Sequence, residues 1–235
     1  MFGKRPDAFM PQAFVRVIQY EGIAERMNVV FDERAEGPLP YQIAVATDLV
    51  ARRVKNVVRL NRDGRFEYVP ELPRFAWFET IVNAVTHRSY SRQGDHIRVK
   101  IFDDRMQIES PGRFPGPVRI ANIRETRFSR NPSISRVLYE LGLVREMNEG
   151  VNRIYDEMSA AGLPEPRFEQ TDSSVRVTLL TRTSLDLDQI RIRMVNLVPV
   201  NVVPVIDVLL REGQITTREA ADIIERSVPT ARRYL

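Results

Sequence analysis

Glu79, Asn83 and His87 recur at intervals of four in the stretch "WFETIVNAVTHRSYSRQGDHIRVKIFDDRMQIESPG", residues 77–112. Each helical residue turns about 100°, so a step of four drifts by only ~40° and the three would share one stripe. A carboxylate can accept a proton from a water molecule, and a neutral amide oxygen can ligate Mg²⁺ without adding charge. The pair His87–Arg88 at the end of the segment could meet a phosphate. Pattern alone favours a solvated stripe beside the apolar face of Phe78, Ile81, Val82 and Val85, because such stripes are commonplace. Basic groups at a helix C-terminus also have a purely structural use, since they complement its dipole.

The elements that must position these residues can be read around them. "AFVRVIQY" and "MNVVFDE" alternate apolar and polar side chains and predict a hairpin across residues 12–35. "PLPYQIAVATDLVARRVKN" has helical spacing, with Pro40 near its start. "VVRLNRDGRFEYVP" predicts a second hairpin turning at Asn61–Gly64. The helix carrying the stripe is expected over 74–88, after Pro73. Its aromatics Phe75, Trp77 and Phe78 read as core. Strands "IRVKIFD" and "RMQIES" then pair around Asp103–Asp104. "PGRFPGPVRI" is a Gly/Pro loop. Helices follow over 132–142 and 149–161, the first opened by an Asn131 cap and Pro132, the second ended by Gly162 and Pro164. "RFEQTDSSVRVTLL" returns to the sheet. The expected fold is therefore α/β, in the α+β sense. A mixed, mostly antiparallel sheet carries helices on one face, and a small helical unit follows.

Composition limits the chemistry. With no cysteine among 235 residues, disulfides, thiolate nucleophiles and Cys-ligated zinc are excluded. No apolar run reaches the ~18 residues of a membrane span, and the first residues lack a signal-peptide core, so a cytoplasmic location is expected. Net charge is +4, but 13 basic and 8 acidic residues lie between Arg88 and Arg153. An anionic ligand is therefore to be sought in the middle of the chain.

"ETIVNAVTHRSY" resembles the N-box helix of the GHKL (Bergerat-fold) ATP-binding superfamily. The chain looks most like the branch with a RecG-like helicase C-terminal domain, found in bacterial transcriptional regulators with an AlbA/Schlafen-type N-terminal domain. The resemblance runs through "EGPLP", "NAVTHRSYS", "VKIFDDRMQIESPG", "SRNPSISRVLYELGLV" and "AGLPEPRFE" to the terminal "TARRYL". It implies a longer regulator, with the AlbA-like domain and the end of a winged helix lying outside this sequence. It implies ATP and Mg²⁺ as ligands, with Asn83 at the metal and Glu79 as the catalytic residue orienting water. The nucleotide-binding set is then Asn83, Ser110, Gly112, Gly150, Arg130 and His87. Two departures stand out. Ser110-Pro111-Gly112 keeps the Gly of the adenine-reading Asp-x-Gly but not its Asp. Asn148-Glu149-Gly150 keeps one of two phosphate-side glycines, and places a carboxylate where amides should cradle phosphate. Weak nucleotide binding and little hydrolysis are the expectation. The absence of G-x-x-x-x-G-K-[ST] gives no support for a helicase motor. The stripe should border the largest polar pocket, with Gly112 and Gly150 across it.

A boundary is expected near 183–199, dividing a GHKL-like domain (1–182) from a partial winged helix-turn-helix (200–235). Thr216 and Glu219 have capping-box spacing, and a third helix would open at Ser227. Ser227, Thr230, Arg232 and Arg233 would face a DNA groove. The seven basic and seven acidic residues of 184–235 give no charge signal for DNA. Three readings follow. The first is a DNA-binding regulator, acting on double-stranded DNA, whose degenerate GHKL-like domain is a ligand sensor or homodimerisation scaffold. The second is an active Mg²⁺-dependent ATPase. The third is a protein-interaction module with neither activity.

Overall fold

A computed structural model describes residues 1–25, 28–60, 64–144, 150–183, 200–212, 215–225 and 229. Strands β1 (Val15–Tyr20) and β2 (Val29–Ala35) form the first hairpin. Helix α1 (Leu39–Ala51) follows, then β3 (Asn56–Leu60), β4 (Phe66–Pro70) and α2 (Arg74–His87). Next come β5 (Ile97–Ile101), β6 (Arg105–Pro111), α3 (Pro132–Glu140), α4 (Gly150–Ala160), β7 (Arg167–Gln170) and β8 (Ser174–Leu180).

Six strands make one sheet in the order β2-β1-β5-β6-β8-β7. All neighbours are antiparallel except β1 and β5, which run parallel with Val17 opposite Val99. The alternation read from the sequence is what makes this sheet two-faced. Val15, Val17, Ile97, Val99, Met106, Ile108 and Leu179 are buried in the main core with Ile43 and Val50 of α1, Trp77, Ile81 and Val85 of α2, Leu138 of α3, and Ile154 and Met158 of α4. Burying each large aliphatic side chain contributes about 1.5–3 kcal/mol, so this layer dominates the stability of the fold. Residues of opposite parity carry ion pairs, among them Arg98–Asp95 at 2.6 Å and Lys100–Glu25 at 2.7 Å.

The second hairpin does not join the sheet. β3 and β4 pair only with each other, as a separate two-stranded sheet. Asn61, Arg62 and Asp63 of the expected turn lie outside the described residues, and the pairing of two strands does not say which third strand lies beside them. Asp103 does more than turn between β5 and β6: its carboxylate accepts from Gly22 N and pairs with Lys55 at 2.6 Å. It thereby ties two sheet turns and the segment before β3 together.

Beyond the sheet, α5 (Val203–Glu212) and α6 (Thr217–Ile223) form a smaller cluster in which Val202, Val205, Ala220, Ala221 and Ile224 are buried. The capping box is made: Thr216 Oγ1 accepts from Glu219 N, and the Glu219 carboxylate accepts from Thr216 N. The linker 184–199 and Ser227, Thr230, Arg232 and Arg233 lie outside the described residues. Among the described residues no helix is long and apolar enough to cross a membrane.

Candidate functional site

Helix α2 is buried along most of its length, yet it leaves one flank facing open space. A cavity of about 550 Å³ lies between that flank, the end of β6, the segment 112–130 and the start of α4. Its volume falls within the ~300–1,000 Å³ range of small-molecule sites. Glu79, Asn83, His87, Ser110, Gly112 and Gly150 all line it. The walls are less polar than the stripe suggests. Ile108, Val118, Ile123, Ile154, Val175 and Val177 make up much of them.

Glu79 is 9% exposed, and its carboxylate accepts from the Asn83 side-chain nitrogen at 3.2 Å. Burial raises the carboxyl pKa above its ordinary value; the Asn83 bond and the charge of Arg153 oppose that shift. Arg153 is itself held over the ring of Phe75, at 3.8 Å from the centroid. With its nitrogen turned to Glu79, the Asn83 amide has its oxygen left for a ligand. Gly150, the first residue of α4, is needed for space: a Cβ there would stand 2.7 Å from the carboxyl carbon of Glu79. Gly112 has φ +115°, and a Cβ on it would stand 2.7 Å from Cβ of Ser89. Only glycine satisfies both constraints at residue 112.

At the other end of α2, His87 is a neutral group. Burial, assisted by Arg130, pushes its imidazole down to about 4. It therefore faces the cavity without the positive charge that a phosphate contact would use. Arg88 is 2% exposed and turned away into its own loop, donating to Asp95 O at 2.6 Å and Arg92 O at 3.2 Å. It neither meets the cavity nor caps the helix dipole. Ser110 lines the cavity, but its hydroxyl donates to Ala84 O at 2.8 Å. Asn131 stands at the N-cap position of α3, before Pro132, yet its side chain makes no cap bond. Instead its amide donates to Thr86 O at 2.8 Å and Arg88 O at 2.9 Å, pinning α3 to the end of α2. Arg130 lies beside Gly112 and donates to Arg113 O.

Sequence reasoning missed the segment that covers the cavity. Arg113, Phe114, Thr126, Arg127 and Phe128 line it. The concentration of positive charge in the middle of the chain was the signal that could have found them. Asn148 and Glu149 lie outside the described residues.

Among the described residues no group of three or more His, Asp or Glu side chains could hold a metal ion by itself. A Mg²⁺ ion at Asn83 would therefore take most of its ligands from phosphate and water, as this ion commonly does. The free Asn83 oxygen fits that role. Residue 110, where the resemblance implies an adenine-reading carboxylate, is a serine whose hydroxyl is engaged with Ala84 O.

Residues 94–179 match the family described as "Putative ATP-dependent DNA helicase recG C-terminal". That stretch contains Ser110, Gly112, Arg130 and Gly150 and begins after α2, so it does not reach Glu79 or Asn83. No curated protein matches the chain significantly. Among solved structures, the chain is similar to the crystal structure of the DIP2311 protein from Corynebacterium diphtheriae. The TM-score is 0.66 and the identity 23%, over 95% of this chain and 47% of that one. This likeness is one of fold, and the chain spans about half the length of that protein. Residues 94–179 are thus similar to a RecG C-terminal-type domain, and the fold likeness extends over nearly the whole chain.

Proposed function

We propose that the chain is part of a DNA-binding transcriptional regulator whose GHKL-like domain senses a nucleoside triphosphate. The observation that carries the nucleotide half is the Asn83–Glu79 bond, which engages the amide nitrogen and leaves its oxygen for a ligand on a residue that lines a cavity of nucleotide size. Mg²⁺, when bound there with a nucleotide, would supply positive charge to offset that of the phosphates. The chain's own residues do the rest. Asn83 offers the neutral oxygen, Glu79 fixes the amide's orientation, and Gly112 and Gly150 let backbone and carboxylate approach closely. Binding outweighs hydrolysis in this reading, because residue 110 is a serine already engaged with Ala84.

The DNA half rests on the resemblance and on helices α5 and α6, the second opened by the Thr216–Glu219 capping box, with Arg232 and Arg233 as the groove-facing residues and a homodimer as the unit that binds a duplex. An active Mg²⁺-ATPase is the second reading. Glu79 favours it, since a buried carboxylate with a raised pKa suits a general base. The test is retention of a duplex library by the protein with ATP, ADP or no nucleotide, with product ADP measured in parallel. Nucleotide-dependent retention at slow turnover supports the sensor. Rapid turnover supports the ATPase, and no response to nucleotide sinks both.

A further inference from the structure

The segment from Arg113 to Arg130 carries five arginines and one acidic residue, Glu125. Three of the five are engaged. Arg119 donates to Gly116 O at 2.9 Å and Val118 O at 2.6 Å. Arg124 donates to the Asn152 side chain at 3.0 Å, and Asn152 donates back to Arg124 O at 3.0 Å. Arg130 donates to Arg113 O. Arg113 and Arg127 remain. Both line the cavity, both are exposed, and neither guanidinium has a hydrogen-bond or ion-pair partner among the described residues.

The segment is also anchored. The reciprocal Arg124–Asn152 clasp fixes it to the first turn of α4, next to Gly150, and Arg124 stacks over Tyr155 at 4.7 Å. Arg127 follows the clasp by three residues and lines the cavity. A guanidinium presents a planar fork of donors that matches phosphate oxygens, and it stays charged at any working pH. Two unpartnered forks lining one cavity suit a ligand with more than one negative centre.

We infer that Arg113 and Arg127 are a polyphosphate clamp that makes the cavity select ligands by the length of their phosphate chain. The inference rests on the nucleotide reading of the same site. The clasped segment sets the position of the clamp, and the α2 stripe lines the same cavity.

The experiment is calorimetric titration of the whole chain with ATP, AMP and inorganic triphosphate, for wild type, Arg113→Ala, Arg127→Ala and the double variant. Each single change should weaken ATP about tenfold, the effect of losing one charge-assisted contact, and leave AMP within twofold. The double variant should discriminate little between ATP and AMP. Arg127→Lys should fall between wild type and Arg127→Ala, because it keeps the charge and loses the fork. Both residues are exposed, so matching melting curves will show that the variants fold. Equal losses for ATP and AMP, or unchanged ATP affinity, overturn the clamp while leaving the nucleotide reading intact. Binding of inorganic triphosphate but no nucleotide upholds the clamp and removes the nucleotide reading. No binding of any of the three overturns both.

Discussion

The carboxylate of Glu79 fills the space that any side chain at residue 150 would need, so the first residue of α4 and the buried acid of α2 must be read together. A Cβ on Gly150 would stand 2.7 Å from the Glu79 carboxyl carbon and closer still to its oxygen. The end of a glutamate can often swing aside, but this one is 9% exposed and bonded to Asn83. Gly150→Ala would ordinarily stabilise a helix by about 0.5–1 kcal/mol. Here it should destabilise by about 1–3 kcal/mol through overpacking. In a denaturant double-mutant cycle, Glu79→Ala should relieve most of that loss. Additive effects would mean that the two sites do not touch.

Stability should respond to pH through the two residues at opposite ends of the stripe, in opposite directions. Burial raises the folded-state pKa of Glu79 above the 4.5 of an ordinary glutamate. The folded protein therefore holds the proton more tightly than the unfolded chain, and stability is lost as pH rises from about 4.5 through the raised value. Glu79→Gln, which can still accept from Asn83, should be more stable than wild type at pH 7, with the gain fading at pH 4. Melting curves at the two pH values check this.

His87 behaves the other way. Its folded-state pKa falls from 6.5 to about 4, so its contribution is present above pH 6.5 and lost as pH falls towards 4. His87→Gln should flatten that part of the acid limb. His96, lowered to about 4 chiefly by burial, acts in the same direction. An unchanged acid limb in His87→Gln would place His87 in water.

Asn131 separates a cap from a tether. Aspartate is as good a cap as asparagine, so Asn131→Asp would be neutral if the residue only capped α3. Its amide instead donates to Thr86 O and Arg88 O. A carboxylate cannot donate, so Asn131→Asp should destabilise by about 1–3 kcal/mol, measurable by urea titration.

Much of this fold is legible locally. Period-two alternation marks β1, β5 and β6, and Thr216 with Glu219 marks the start of α6. The spacing of Glu79, Asn83 and His87 marks the flank of α2 that borders the cavity. What is not legible depends on distant partners. Nothing in "VVRLNRDGRFEYVP" says that β3 and β4 stay out of the main sheet. Arg88 reads as an exposed base because a buried arginine is tolerable only where carbonyls such as Asp95 O and Arg92 O converge on it. Asn131 in front of Pro132 has the local signature of a cap, and the carbonyls it serves lie more than 40 residues earlier. Arg113 and Arg127 carried only a charge signal, since the Arg124–Asn152 clasp that places their segment spans 28 residues.

The most direct test of the central claim is calorimetric titration with ATP, with and without Mg²⁺, of wild type and Asn83→Ala. If Asn83 presents its oxygen to a nucleotide-bound Mg²⁺ ion, wild type should bind more tightly with Mg²⁺ than with a chelator, by about tenfold or more, and Asn83→Ala should erase that difference. Wild-type binding indifferent to Mg²⁺, or a Mg²⁺ dependence that survives in Asn83→Ala, would contradict the account.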